Sequence, residues 1–248
     1  KLINEMKRGV ITDEDVVKQI MVSFNYCGSS STPMLSRAAR RLKGLMQGNR
    51  GIVFLGPDGA GKSTITESLS GLRWPKIRLQ FMGPGREAAM KPLFTSVLSL
   101  FGNLREKYPK GNLVGLFVRG AWQIICYIDF LERLYRHTWF WGSGGVVLFD
   151  RYACDMYFRK PTWLNEKLFI SLFPKPNFVF LCTGDAAKIH HRKPELTISE
   201  IESTIDLYRK KLSQHRIPFK EIDTTSNTPN KNIDQVVSHL IVKGWFVK

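Results

Sequence analysis

The chain has 248 residues, 43% of them apolar, which is enough for one large packed α/β domain with an appendage and argues against a disordered or fibrous chain. Lysine and arginine (37) outnumber aspartate and glutamate (21), and the net charge of +16 favours anionic partners: nucleotides, phosphorylated metabolites, acidic glycans or an anionic membrane surface. Cys27, Cys126, Cys154 and Cys182 are scattered with no C-x-x-C pair, which argues against a disulfide framework or a zinc site and fits reduced, packing cysteines of a cytoplasmic protein.

Residues 1–50 read as a helical extension with a linker. Thr12-Asp-Glu-Asp15 starts a helix with Val16, Val17, Ile20 and Met21 on its apolar face. Gly28-Ser-Ser-Ser-Thr32 is a linker or exposed turn, and Pro33 fits a first helical position with Thr32 as N-cap. Over 33–47, Met34, Leu35, Ala38, Leu42, Leu45 and Met46 make one stripe, with Arg37, Arg40, Arg41 and Lys43 largely off it. Such a basic amphipathic helix suits packing on its own core, an upstream domain or an anionic membrane surface. No signal peptide is visible, and a start at Lys1 rather than Met fits a piece of a longer polypeptide.

Ile52-Val-Phe-Leu55 reads as a buried strand, and it opens into Gly56-Pro-Asp-Gly-Ala-Gly-Lys-Ser-Thr64. Gly56, Gly61, Lys62 and Ser63 satisfy G-x-x-x-x-G-K-[ST], the pattern of a phosphate-binding loop. Gly56, Gly59 and Gly61 allow positive φ, so successive backbone N–H groups can converge on phosphate oxygens. The helix expected from Lys62, with Ile65, Leu69 and Leu72 on one face, adds its positive dipole end. Lys62 supplies a charge to the β/γ-phosphates, and the Ser63 hydroxyl is placed for the Mg²⁺ that accompanies them.

A second strand, Lys76 to Phe81, ends in Met82-Gly-Pro-Gly-Arg86, a glycine-rich turn of the kind that meets ligands in open α/β sheets. Arg86 is therefore a candidate acceptor contact or a solvated turn residue. Residues 87–101 read as a helix, and Tyr108-Pro-Lys-Gly111 breaks the chain before a long helix from Leu113 to about Trp141. Its most apolar part, Leu116 to Trp141, is interrupted by Arg119, Asp129, Glu132, Arg133, Arg136 and His137, so no stretch reads as a membrane span. Arg119 sits among apolar neighbours and needs a counter-charge, from a bound phosphate or from a carboxylate such as Asp129.

Gly144-Gly-Val-Val-Leu-Phe149 is the next buried strand, with Asp150-Arg151-Tyr152 at its carboxyl end. A carboxylate there can hold water on Mg²⁺ or accept a proton, and the adjacent arginine can fork onto a phosphate. Phe178 to Cys182 is a fourth strand, followed by Gly184-Asp185, a short helix and the basic hinge His190-His-Arg-Lys193-Pro-Glu195. This hinge, about 188–197, reads as a lid able to close Arg192 and Lys193 over a nucleotide, or as a solvated helix end. A helix of 198 to about 215 begins after Thr197, Phe219 to Ile222 is a short fifth strand, and Ile233 to Val242 is the last helix.

From about Gly51 to the end, these motifs resemble the thymidylate kinase-like family of P-loop kinases. Gly56 to Thr64 is similar to that family's loop, including the acidic Asp58 that would face an acceptor hydroxyl. Asp150-Arg151-Tyr152 resembles its Asp-Arg-aromatic motif, Phe117-Val-Arg119 the helix whose arginine holds an acceptor phosphate, and Arg192-Lys193-x-Glu195 its lid. The resemblance implies an α/β, three-layer P-loop NTPase fold, a five-stranded parallel sheet flanked by helices over 51–248, with the helical extension before it. It implies an ATP-dependent phosphotransferase using Mg²⁺. Lys62, Asp150, Arg151 and Arg192 would be catalytic, with Ser63 and Asp150 on the metal. ATP would lie on Gly56, Asp58, Gly59, Ala60, Gly61, Lys62, Ser63, Thr64, Arg192 and Lys193. The acceptor would meet Asp58, Arg86, Arg119, Arg151 and Tyr152.

By resemblance the acceptor is a nucleoside monophosphate such as dTMP, and a homodimer is in keeping with it. The family's Arg-Glu-Pro-Gly acceptor loop is absent, however, and Met82-Gly-Pro-Gly-Arg86-Glu87 stands in its place. With the basic N-terminal segment, this looks like divergent members found with bacterial surface-polysaccharide synthesis, whose acceptor would be a sugar or lipid-linked glycan end, with acidic groups such as Asp58 and Asp155 to orient its hydroxyls. A nucleotide-switched binding protein without transfer is a further reading. Nucleic acid is not an expected partner, since no aromatic-basic motif for bases stands out. The expected location is cytoplasmic, either free or peripheral at the inner face of a membrane.

Overall fold

The computed structural model describes residues 51–71, 77–83, 92–108, 112–137, 140, 146–159 and 173–242. The expected helices within 1–50, Cys27 and Arg86 lie outside the described residues.

Five strands form one parallel sheet in the order β2-β3-β1-β4-β5: β1 (Gly51–Leu55), β2 (Ile77–Phe81), β3 (Val146–Asp150), β4 (Phe178–Thr183) and β5 (Phe219–Asp223). Position in the sheet follows composition. Ile-Val-Phe-Leu, Val-Val-Leu-Phe and Phe-Val-Phe-Leu-Cys are continuous apolar runs, and the strands that carry them are the three inner ones, covered on both faces. The outer strands carry charge, and Arg78, Lys220 and Glu221 are exposed or half-exposed there.

The side-chain period of two sends alternate residues to opposite layers. Val53, Leu55, Val147, Phe149, Val179 and Leu181 face a core with Phe130, Leu134, Tyr157 and Tyr208. Ile52, Phe54, Leu148 and Phe180 face the other, with Ile65, Leu69, Ile205 and Val236. Phe54 and Phe180 stack there with ring centres 5.4 Å apart.

The helices are α1 (Lys62–Gly71), α2 (Pro92–Lys107), α3 (Leu113–Arg136), α4 (Ala153–Arg159), α5 (Ala186–Arg192), α6 (Ile198–Gln214) and α7 (Pro229–Val242). Several bounds differ from the sequence expectation for local reasons. Helix α2 runs to Lys107 rather than residue 101, past Gly102, whose missing side chain meets nothing nearby. Helix α3 stops at Arg136, where the His137 N–H caps the Leu134 carbonyl. Helix α7 starts four residues early because Pro229 suits a first helical position. Helix α4, not anticipated, places Asp155 and Arg159 one turn apart on the same side as Arg151. Helix α6 begins as its sequence suggests: Thr197 and Glu200 close a reciprocal capping box.

By length and composition alone α3 is long and apolar enough to cross a bilayer, a test that the core helix of a globular domain also passes. Apart from Arg119 and Asp129, the charged residues named for this stretch fall in its last two turns or, for His137, at its C-cap. Here its inner face packs into the core through Cys126, Phe130 and Leu134, while Leu113, Leu116, Phe117 and Ile124 are exposed.

Candidate functional site

Parallel pairing of β1 with β3 puts Phe54 opposite Asp150, so the loop after β1 and the motif after β3 emerge side by side at the carboxyl ends of the strands. The loop turns through Gly56, Gly59 and Gly61 at φ of 150°, 85° and 72°. A Cβ on Gly56 would lie 2.5 Å from the Cys182 carbonyl oxygen, so β4 packs against the loop and only glycine fits. On the other side Gly59 faces the end of α5, where a Cβ would meet Ile189 O at 2.9 Å. Ala60 is fully buried beneath the turn.

Lys62 is buried, and its ammonium folds back to donate to the Gly56 and Pro57 carbonyls at 2.9 and 2.7 Å. Burial, and next the Arg151 charge, hold its pKa below the ordinary lysine value. The site thus stores a desolvated positive charge under the loop. Ser63 Oγ donates to Asp150 Oδ2 over 2.8 Å, and Asp150 Oδ1 is buried with no hydrogen-bond partner. A hydroxyl paired with a carboxylate that keeps a spare oxygen is the hard donor set Mg²⁺ takes alongside water and phosphate oxygens, so the residues fit that ion.

Arg151 has φ of +66°, a left-handed conformation rare for a non-glycine residue, and its N–H donates to the Phe54 carbonyl at 3.1 Å. This twist ends β3 and turns the guanidinium back over the phosphate loop. There it donates to Asp58 Oδ1 through one terminal nitrogen and to Asp155 Oδ2, at 2.7 Å, through the other. Burial pushes the Asp58 carboxyl up, but the charges of Arg151, Lys62, Arg159 and Lys193 together outweigh it and leave the group below its ordinary range. Asp58 is therefore an ionised carboxylate at neutral pH.

A cavity of about 650 Å³ lies over these groups. Its lining includes Asp58, Gly59, Gly61, Lys62, Ser63, Thr64, Asp150, Arg151, Arg192 and Lys193, which unites most residues expected for ATP and the metal. Arg192, the last residue of α5, donates to the Thr224 carbonyl at 3.1 Å, and Lys193, on the exposed turn that follows, pairs with Glu195 at 3.1 Å. His190 Nδ1 lies 2.7 Å from the Leu196 carbonyl and ties that turn together.

Two expected acceptor residues point elsewhere. Tyr152 is buried in the core, packs on Phe149 and Phe173, and donates its hydroxyl to the Pro174 carbonyl at 2.8 Å. Arg119 donates to the Arg105 and Tyr108 carbonyls at 3.4 and 3.3 Å, closing the end of α2. Neither lines the cavity. Nor does Asp129 pair with Arg119; it pairs with the buried Arg133 one turn later, which also donates to the Gly83 carbonyl at 3.2 Å.

The structure adds groups not singled out in the sequence. Thr224, Asn227, Pro229 and Asn232, after β5, also line the cavity, and the Asn232 side-chain oxygen is buried without a partner. The signal available was the polar run Thr224-Thr-Ser-Asn-Thr-Pro229 at the carboxyl end of a parallel strand. Arg159 and Tyr208 join Asp155 behind Arg151; no sequence spacing links them, because 49 residues separate the two.

Strand order, parallel pairing and the glycine loop between β1 and α1 define a P-loop NTPase fold of the α/β class. No protein-family model matches the chain, and no curated protein matches it by sequence. Among solved structures, deoxyadenosine kinase from M. mycoides with products dCMP and dCDP is similar over 77% of this chain and 98% of its own, at 14% identity and a TM-score of 0.48. Thymidylate kinase from Ehrlichia chaffeensis is similar over 78% of this chain and 99% of its own, at 17% identity and a TM-score of 0.49.

Proposed function

We propose that the chain is an ATP-dependent phosphotransferase that moves the γ-phosphoryl group of ATP to a small acceptor. The observation that carries this reading is the single cavity in which a glycine loop, a buried ammonium, a serine-carboxylate pair with a spare oxygen, and Arg151, Arg192 and Lys193 converge. ATP would lie on residues 56–64 with its base toward Thr224, Asn227 and Asn232. Mg²⁺ would be held by Ser63 and Asp150 and would neutralise charge on the β- and γ-phosphates. Lys62, Arg151 and the Arg192-Lys193 turn surround the transferring group. The chain's own contribution is alignment and charge neutralisation rather than covalent chemistry.

The acceptor would enter beside Asp58. A nucleoside monophosphate such as dTMP follows from the family resemblance and needs cations for its phosphate. A sugar or glycan end needs a carboxylate for its hydroxyl, and two observations favour it. Arg119 donates to the Arg105 and Tyr108 carbonyls at the end of α2, and Asp58 lines the cavity as an ionised carboxylate. Incubating the protein with γ-labelled ATP, Mg²⁺ and separate panels of nucleoside monophosphates and sugars tests both levels. Label on a sugar hydroxyl is the expected result, label on a monophosphate would reverse the choice of acceptor, and failure to bind ATP would refute the phosphotransferase reading.

A further inference from the structure

Arg151 faces two carboxylates that differ in every respect but charge. Asp58 belongs to the phosphate loop and lines the cavity, with its side chain 22% exposed. Asp155 lies behind, on α4, with its side chain 4% exposed. Its second oxygen accepts from Arg159 Nε at 2.9 Å and from the Tyr208 hydroxyl, and Tyr208 is itself fully buried and 2.8 Å from Arg159 Nε. Arg159 also reaches Asp58, at 3.8 Å. Asp155 is therefore fixed by two side chains, one of them from α6, the helix that follows the Arg192-Lys193 turn. Asp58 is bordered by open cavity. A phosphate oxygen entering that cavity meets Arg151 on the Asp58 side.

We propose that Asp155, fixed by Arg159 and Tyr208, is the positioning residue that holds Arg151 ready for the γ-phosphate, and that Asp58 is the exchangeable partner that occupies Arg151 until that phosphate arrives. This rests on the phosphotransferase reading. The exchange swaps one charge-assisted pair for another at the terminal nitrogen that faces Asp58, so that nitrogen never stands without a partner while the other stays on Asp155. The two carboxylates then have opposite effects on ATP. Loss of the Asp155 charge frees Arg151 to leave, and loss of the Asp58 charge removes a competitor. A simple charge effect predicts the same sign for both, because removing either negative charge near a polyphosphate should tighten binding.

The test is the ratio of affinities for the Mg²⁺ complexes of the β,γ-imido analogue of ATP and of ADP, measured by titration calorimetry on the full chain. ADP lacks the γ-phosphate and serves as the reference. Asp155→Asn is expected to lower the preference for the triphosphate about tenfold, the scale of one charge-assisted hydrogen bond. Tyr208→Phe, which keeps the ring in the core, should lower it in the same direction, and Asp58→Asn should raise it. Thermal melts establish that each variant is folded, and if Asp155→Asn is not, Tyr208→Phe decides. An unchanged or raised preference in the variant that decides, a lowered one in Asp58→Asn, or a wild type that binds both nucleotides equally would overturn the proposal. A wild type that binds neither would refute the phosphotransferase reading instead.

Discussion

Replacing Lys62 by alanine removes a buried ammonium whose two partners are carbonyls of its own loop, at 2.9 and 2.7 Å. In the proposed function the same ammonium would reach phosphate oxygens once nucleotide is bound, a contact that would strengthen as charge spreads in the transition state. One preorganised contact of this kind is worth about 3 kcal/mol, which is about 150-fold in rate. The cost to the fold should be smaller, because two effects oppose each other there. Its loss leaves the Gly56 and Pro57 carbonyls short of a donor, worth about 1–3 kcal/mol, but also relieves the burial of a charge whose pKa is already depressed by desolvation. The assay is phosphoryl transfer or ATP consumption with labelled ATP at saturating Mg²⁺, run beside a thermal melt. Lys62→Ala should melt within a few degrees of wild type and turn over about two orders of magnitude more slowly. A folded variant within threefold of the wild-type rate would refute the placement of the γ-phosphate over this loop.

Three further outcomes follow from the geometry. Asp150→Asn and Ser63→Ala should each weaken the Mg²⁺ dependence of ATP affinity, about tenfold or more for Asp150→Asn, which loses the buried unpaired oxygen as an anionic ligand; a magnesium titration of nucleotide binding reads this directly. Gly59→Ala should destabilise more than Gly61→Ala. Both impose positive φ on a side chain, about 1 kcal/mol, but only at Gly59 would the new Cβ also collide with backbone, 2.9 Å from Ile189 O against 3.7 Å for the nearest atom at Gly61. Equal melting temperatures would contradict the docking of α5 on the loop. Slight burial raises the Asp223 carboxyl, but donors from Ser226 and Thr225 pull it down to about 2. Because that lies below its unfolded value of 3.8, its contribution is present above about pH 4 and fades as pH falls toward 2. Asp223→Ala should therefore lower stability at pH 6 and narrow its gap from wild type at pH 2.5, as seen by chemical denaturation at both.

Some of this site was legible because the information is local. The glycine positions, Lys62 and Ser63 are contiguous, and the buried strand before them and amphipathic helix after them are set by neighbours in the chain. Asp150 and Arg151 could be placed as well, because an apolar run marks a central strand and ligands gather at its carboxyl end. Arg119 and Tyr152 show where that reasoning stops. Both stand near expected site positions, but which way a side chain leaves its helix or strand end depends on what lies across from it. For Arg119 this is the open end of α2, for Tyr152 the Phe173 ring and the Pro174 carbonyl.

By itself the sequence determined the α/β class, the place of the phosphate loop, the identity of the inner strands and the ionic character of the pocket. All of these follow from residue type and spacing over a few turns of chain. Only the tertiary structure decided which charges meet. Asp58, Arg151, Asp155, Arg159 and Tyr208 come from the loop after β1, the end of β3, α4 and α6, and pairing between groups up to 93 residues apart has no signature in sequence spacing. Charged side chains of this kind become specific only when folding removes the water that would otherwise satisfy each of them alone.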